Sequence, residues 1–91
     1  MRFHLDFRPG VRSFIDEADL TRAGRVCLWA AVNDLREISD AFRDDPANRS
    51  GPYFTFARAF MDAGVFRQFR LVVDDSSAAY GVLRIVYADM Q

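Results

Sequence analysis

Val65–Ala88 reads VFRQFRLVVDD, SSAAY, GVLRIVYA, and this stretch decides the fold. Two runs rich in Val, Phe, Leu, Ile and Tyr flank a break of polar and small residues. That is the pattern of two adjacent antiparallel strands. In the first run Arg67, Phe69, Leu71 and Val73 alternate with Phe66, Gln68, Arg70 and Val72. In the second, Leu83, Ile85 and Tyr87 alternate with Val82, Arg84 and Val86. Both faces of this ribbon are largely apolar, which predicts a central place in a sheet. A hairpin alone is marginal in water, so the upstream chain must supply further strands and a cover. Asp74-Asp75-Ser76-Ser77 reads as a solvated, acidic connecting turn.

The cover comes from two amphipathic segments. Phe3, Leu5 and Phe7 first alternate with Arg2, His4, Asp6 and Arg8 in a half-buried strand that Pro9-Gly10 ends. His4 falls on its polar side and reads as a solvated residue. Val11, Phe14, Ile15 and Ala18 then stand at helical spacing, predicting a short helix over Arg12–Ala18. Asp19 offers an N-cap for a longer helix over Leu20–Arg43, whose stripe runs Leu20, Gly24, Cys27, Leu28, Ala31, Leu35, Ile38, Phe42. Cys27 is read as a small core residue of that stripe and Trp29 as a core edge on its flank. Asp44-Asp45-Pro46 stops the helix, and the run to Pro52 is a loop.

Tyr53–Asp62, YFTFARAFMD, supports two readings. With period two, Phe54, Phe56, Arg58 and Phe60 share a face. With period 3.6, Phe56, Ala57, Phe60 and Met61 make a stripe, Pro52 suits a first helical turn and Gly64 a C-cap. Aromatics and Thr favour the strand, alanines and Met the helix, and pattern alone leaves both open.

Composition sets the outer bounds. A chain of 91 residues, 51% of them hydrophobic, predicts one globular domain, 1–91, that buries about two-thirds of its extended surface. The expected class is α+β: a small, mainly antiparallel sheet of three or four strands with helices packed on one face. The single cysteine excludes an intramolecular disulfide and a cysteine-based zinc site, and the single histidine excludes a His-pair metal site. The glycines are scattered, so no phosphate loop exists, and no nucleophile elbow appears. These absences predict no metal and no cofactor. MRFHLDFRPG lacks an apolar core of signal-peptide length and no stretch is long enough to span a membrane, which predicts a cytoplasmic protein without membrane attachment.

All 12 basic residues are arginine, against 13 acidic ones, for a net charge of −1. Every cation is therefore a planar fork suited to carboxylate or phosphate, and no lysine base is present. Four arginines stand on strands: Arg58, Arg67, Arg70 and Arg84. A charge inside an apolar strand must pair, reach solvent or bind something. Asp6, Asp62 and Asp89 are the available ion-pair partners. As a cluster, the arginines are the candidate anion- or RNA-facing surface.

The order strand, short helix, long helix, then strands (β-α-α-β-β-β) resembles the RelE/ParE superfamily of bacterial toxin–antitoxin toxins. FHLDFRPGVRSFIDEA is similar to that family's opening strand, Pro turn and first helix, and AFRDDP to the end of its second helix. DAGVFRQFRLVVDD and GVLRIVYADM are similar to its glycine turn and last two strands. The resemblance implies that Tyr53–Asp62 is a strand and that the sheet has four. It implies a toxin that either cleaves ribosome-bound mRNA without a metal or poisons DNA gyrase by contact. For the ribonuclease, Arg67 or Arg70 and Tyr87 would be catalytic, while Arg58 and Arg84 would hold substrate. Arg67 and Arg70 point to opposite faces, so they cannot share one role. The partners implied are a cognate antitoxin, the ribosome with its mRNA or gyrase, and a homodimer is compatible with the pattern. The absence of lysine and a pI near 5.7 depart from the strongly basic ribonucleases of that family. A different class, a non-catalytic protein-binding inhibitor or small oligomeric interaction protein of phage or mobile-element origin, fits the even charge and the many aromatics.

Overall fold

The hairpin that dominates the molecule is built from Tyr53–Asp62 (β3) and Val65–Asp74 (β4), paired antiparallel from Tyr53↔Asp74 to Asp62↔Val65. Tyr53–Asp62 is thus a strand, as the resemblance implies, and not a helix. Ala63 and Gly64 close it as a two-residue turn with φ of 51° and 80°. Both positive values match the right-handed twist of the flanking strands. Residues 2–91 are described by this computed structural model.

Val82–Met90 (β5) lies antiparallel to β4, and His4–Phe7 (β1) lies parallel to β5. Arg49–Ser50 (β2) adds two residues beside β3. The sheet runs β1-β5-β4-β3-β2, so the ribbon is central and the class is α+β. The fifth strand, β2, falls inside what the sequence predicts to be a loop.

Helices cover one face only. They are Val11–Asp16 (α1), Arg22–Asp34 (α2) and Asp40–Asp44 (α3), with a 3-10 turn over Leu35–Glu37. Leu5, Phe54, Phe56, Phe69, Leu71, Val73, Leu83 and Ile85 point into this layer and meet Val11, Ile15, Leu28, Val32 and Leu35, all buried. Phe42 of α3 packs edge-on against Phe54 and Phe56. No helix among the described residues is long and apolar enough to cross a membrane.

Three sequence expectations need correction. The helix expected over Leu20–Arg43 is broken. Ile38 is extended (φ −61°, ψ 136°), and the Ser39 hydroxyl accepts from the Phe42 N–H and starts α3 afresh. The cap of α2 is Thr21 and not Asp19: its hydroxyl accepts from the Gly24 N–H. Cys27 is exposed, because the helix rotates Gly24, Leu28 and Val32 inward instead. A further difference concerns Asp75, read as solvated. Its carboxylate is nearly covered and pairs with Arg43 of α3 at 3.2 Å and with Arg49 of β2, tying both elements to the loop between β4 and β5.

Candidate functional site

The face of the sheet away from the helices has no covering layer. Alternation along β3, β4 and β5 delivers Tyr53, Thr55 and Ala57, then Arg70 and Val72, then Arg84, Tyr87 and Asp89 to this open side. Tyr87 owes its place to an irregularity. Val73 opposes Ile85 while Val72 opposes Tyr87, so Val86 is an extra residue in β5. Strict alternation would put Tyr87 with Leu83 and Ile85 in the core. The bulge turns it outward, 51% exposed, and turns Ala88 and Met90 inward.

The structure therefore divides the candidate residues. Arg70, Arg84 and Tyr87 share the open face. Arg67 lies on the helix side, where it donates to the carbonyls of Gln91 at 3.2 Å and Asp19 at 3.3 Å. Arg58 also stands on that side, at its margin, with its guanidinium 4.2 Å from the Phe56 ring centroid and donating to the Ala57 carbonyl. A joint site of all five residues does not form.

The open-face arginines are paired, and with partners that the sequence offered. Arg70 binds the Asp89 carboxylate at 2.5 Å and Arg84 binds Asp6 at 3.1 Å. Both pairs are largely exposed, so each adds little to stability. A hollow of about 120 Å³ opens between Ala57, Gln68, Arg70, Asp89 and Gln91. On the other side of Tyr87 a wider hollow of about 370 Å³ is shared with Arg8, Gly10 and Phe14. Arg8 forms no ion pair and no side-chain hydrogen bond among the described residues. Sequence reasoning missed it as a site residue because it reads as the polar end of β1. Only the parallel docking of β1 on β5 brings it to Tyr87.

One more polar cluster lies at the opposite end of the hairpin. Asp62, almost fully buried, accepts from the Thr21 N–H at 2.9 Å and from the Thr21 hydroxyl. The Thr21 hydroxyl, then the Thr21 N–H, hold the Asp62 carboxyl below its ordinary range, against the opposing effect of burial. This cluster fastens the start of α2 to the end of β3.

Comparison of the chain with protein-family models, curated proteins and solved structures gives no match.

Proposed function

We propose that this chain is the toxin-like component of a toxin–antitoxin module, of RelE/ParE type, and that the open face of its sheet is the working surface. One observation carries the reading. Tyr53–Asp62 is a strand, and helices cover only one face of the sheet, which leaves Arg70, Arg84 and Tyr87 together on the other. Of the two activities that the resemblance implies, gyrase inhibition by contact has the better support. Cleavage of a phosphodiester is favoured by cations free to gather around one phosphate. Here Arg70 and Arg84 each already hold an aspartate.

A second reading has its own support. Met61 and Phe66, opposite each other on the open face at the tip of the hairpin, are 60% and 63% exposed. Such a patch suits a non-catalytic protein-binding inhibitor.

Tightly induced expression in a bacterial host separates these readings, with growth, translation and DNA breaks followed beside an Arg70→Ala/Tyr87→Ala variant. Arrest with intact translation and broken DNA, relieved by the variant, is the expected result. Arrest with loss of translation would move the assignment to mRNA cleavage. Healthy growth with folded protein accumulating would sink the toxin reading and leave the binder.

A further inference from the structure

We propose that the groove between β1 and α2 binds a small amphipathic anion, a free medium-chain carboxylate whose head is taken by Arg36 and whose chain lies along an apolar floor. The site uses none of the open-face residues and does not rest on the toxin reading.

The head comes first. Arg36 stands in the 3-10 turn after α2, half-buried. Two bonds fix its guanidinium: Nε donates to Oδ1 of Asn33 at 2.7 Å, and Nη1 donates to the Phe3 carbonyl at 3.3 Å. The Arg36 carbonyl in turn accepts from the Phe3 N–H at 2.7 Å, so backbone and side chain both hold the start of β1. Both side-chain partners are neutral. Among the described residues no carboxylate balances this charge, and Nη2 has no partner. Glu37, the next residue, is not in the groove wall and pairs loosely with Arg2 at 3.7 Å. A guanidinium fixed in place, partly withdrawn from water and unpaired is a seat for an anion.

The rest of the groove suits an apolar tail. It encloses about 530 Å³, inside the range of about 300–1,000 Å³ usual for small-ligand sites. Leu5 and Val32, both buried, floor it. Phe7 and Trp29 meet edge to face with centroids 6.1 Å apart, and Val26, 66% exposed, stands with Ala30 at the rim. Arg12 closes the end away from Arg36, its guanidinium 5.6 Å from the Trp29 ring and 5.9 Å from that of Phe7. From Phe3 to Phe7 the chain runs about 13 Å, a span that an extended decanoate fills. A tail laid there takes its own surface and that of the groove out of water. Charge then selects the head. No carboxylate lines the groove, so a cation would meet only Arg12 and Arg36. A neutral head would leave Arg36 without a counter-charge. A carboxylate pairs with it where water screens the pair less than at the open surface.

Trp29 is the single tryptophan of the chain and reports on the groove directly. The intact protein is titrated with sodium decanoate, kept below the concentration at which it forms micelles, while Trp29 emission is followed. Decanol and acetate serve as tail-only and head-only probes. Decanoate should shift the emission to the blue, saturably, and should raise the urea midpoint because it binds the folded chain. Decanol should bind about tenfold more weakly, and acetate should give no shift. Arg36→Gln should weaken decanoate about tenfold and leave decanol unchanged, a split that lost packing alone would not produce. Ala30→Glu sets a like charge on the rim at an exposed helical position, keeps the circular dichroism, and should also weaken decanoate about tenfold. It carries the test if Arg36→Gln does not fold. No saturable shift with decanoate, a urea midpoint that falls, decanol as tight as decanoate, acetate giving the same shift, or decanoate binding unchanged in either folded variant overturns the proposal.

Discussion

Gly24→Ala should destabilise this protein, although alanine is the better helix former. Gly24 stands in the first turn of α2, where alanine in open surroundings would gain about 1 kcal/mol. The surroundings are not open. A Cβ at Gly24 would lie 2.9 Å from Oδ2 of Asp62 and closer still to the other carboxyl atoms. The carboxylate cannot simply swing aside, since it holds both the N–H and the hydroxyl of Thr21. Overpacking at a pinned site costs about 1–3 kcal/mol, and pinning places this case in the upper half of that range. Subtracting the propensity gain leaves a net loss of about 1–2 kcal/mol. For a domain of this size the melting temperature should fall by roughly 5–10 °C. Thermal and urea unfolding, followed by far-UV circular dichroism, measure this directly. The same substitution in an Asp62→Ala background should reverse sign and stabilise, because the obstructing group is gone. A Gly24→Ala protein as stable as the parent, or more so, would refute the argument.

Acid should act through this cluster and through Asp74 at the other end of the hairpin. Asp62 is held below the ordinary carboxylate range first by the Thr21 hydroxyl, and Asp74 first by the Ser76 N–H. A lowered folded pKa means that each carboxylate stabilises at neutral pH. That contribution is lost as the pH falls from about 4, the unfolded value, through the lowered ones. Urea midpoints across this window should drop for the parent and drop less for Thr21→Ala; equal slopes would contradict the assignment. Ala63→Asn should raise stability by about 0.5–1 kcal/mol, because Ala63 takes a positive φ of 51° that asparagine adopts more readily. A lowered melting temperature there would argue against the tight turn.

The sheet was legible because β3, β4 and β5 carry period-two patterns dense in aromatic and β-branched residues. That the strand arginines would pair, with Asp6 and Asp89 among the candidates, was legible because charges on apolar strands have few places to go; which arginine takes which aspartate was not. What escaped is long-range or lacks a local signature. The stripe from Leu20 to Phe42 continues through Ile38, but Ser39 captures the Phe42 N–H and splits the helix. Asp75 looks like any turn acid, and its arginines stand 32 and 26 positions upstream. The alternation that groups Tyr87 with Leu83 and Ile85 breaks at Val86, a good strand former that no rule marks as a bulge. Arg8 joins the site only through the parallel seam, which no short window of sequence contains.

That seam also orders events in time. Asp6 and Arg84, which pair across it, are 78 positions apart. On the ribosome β1 is made first and must wait for β5 before it has a neighbour. The β3–β4 hairpin, closed by its own short turn, forms within microseconds of emerging. The β1–β5 pairing, with the greatest separation in the sheet, carries the largest loop-closure cost. Throughout synthesis Phe3, Leu5 and Phe7 are an unclaimed apolar strand, open to a chaperone or to another chain before its own sheet exists. The same strand stays at one edge of the sheet in the finished fold.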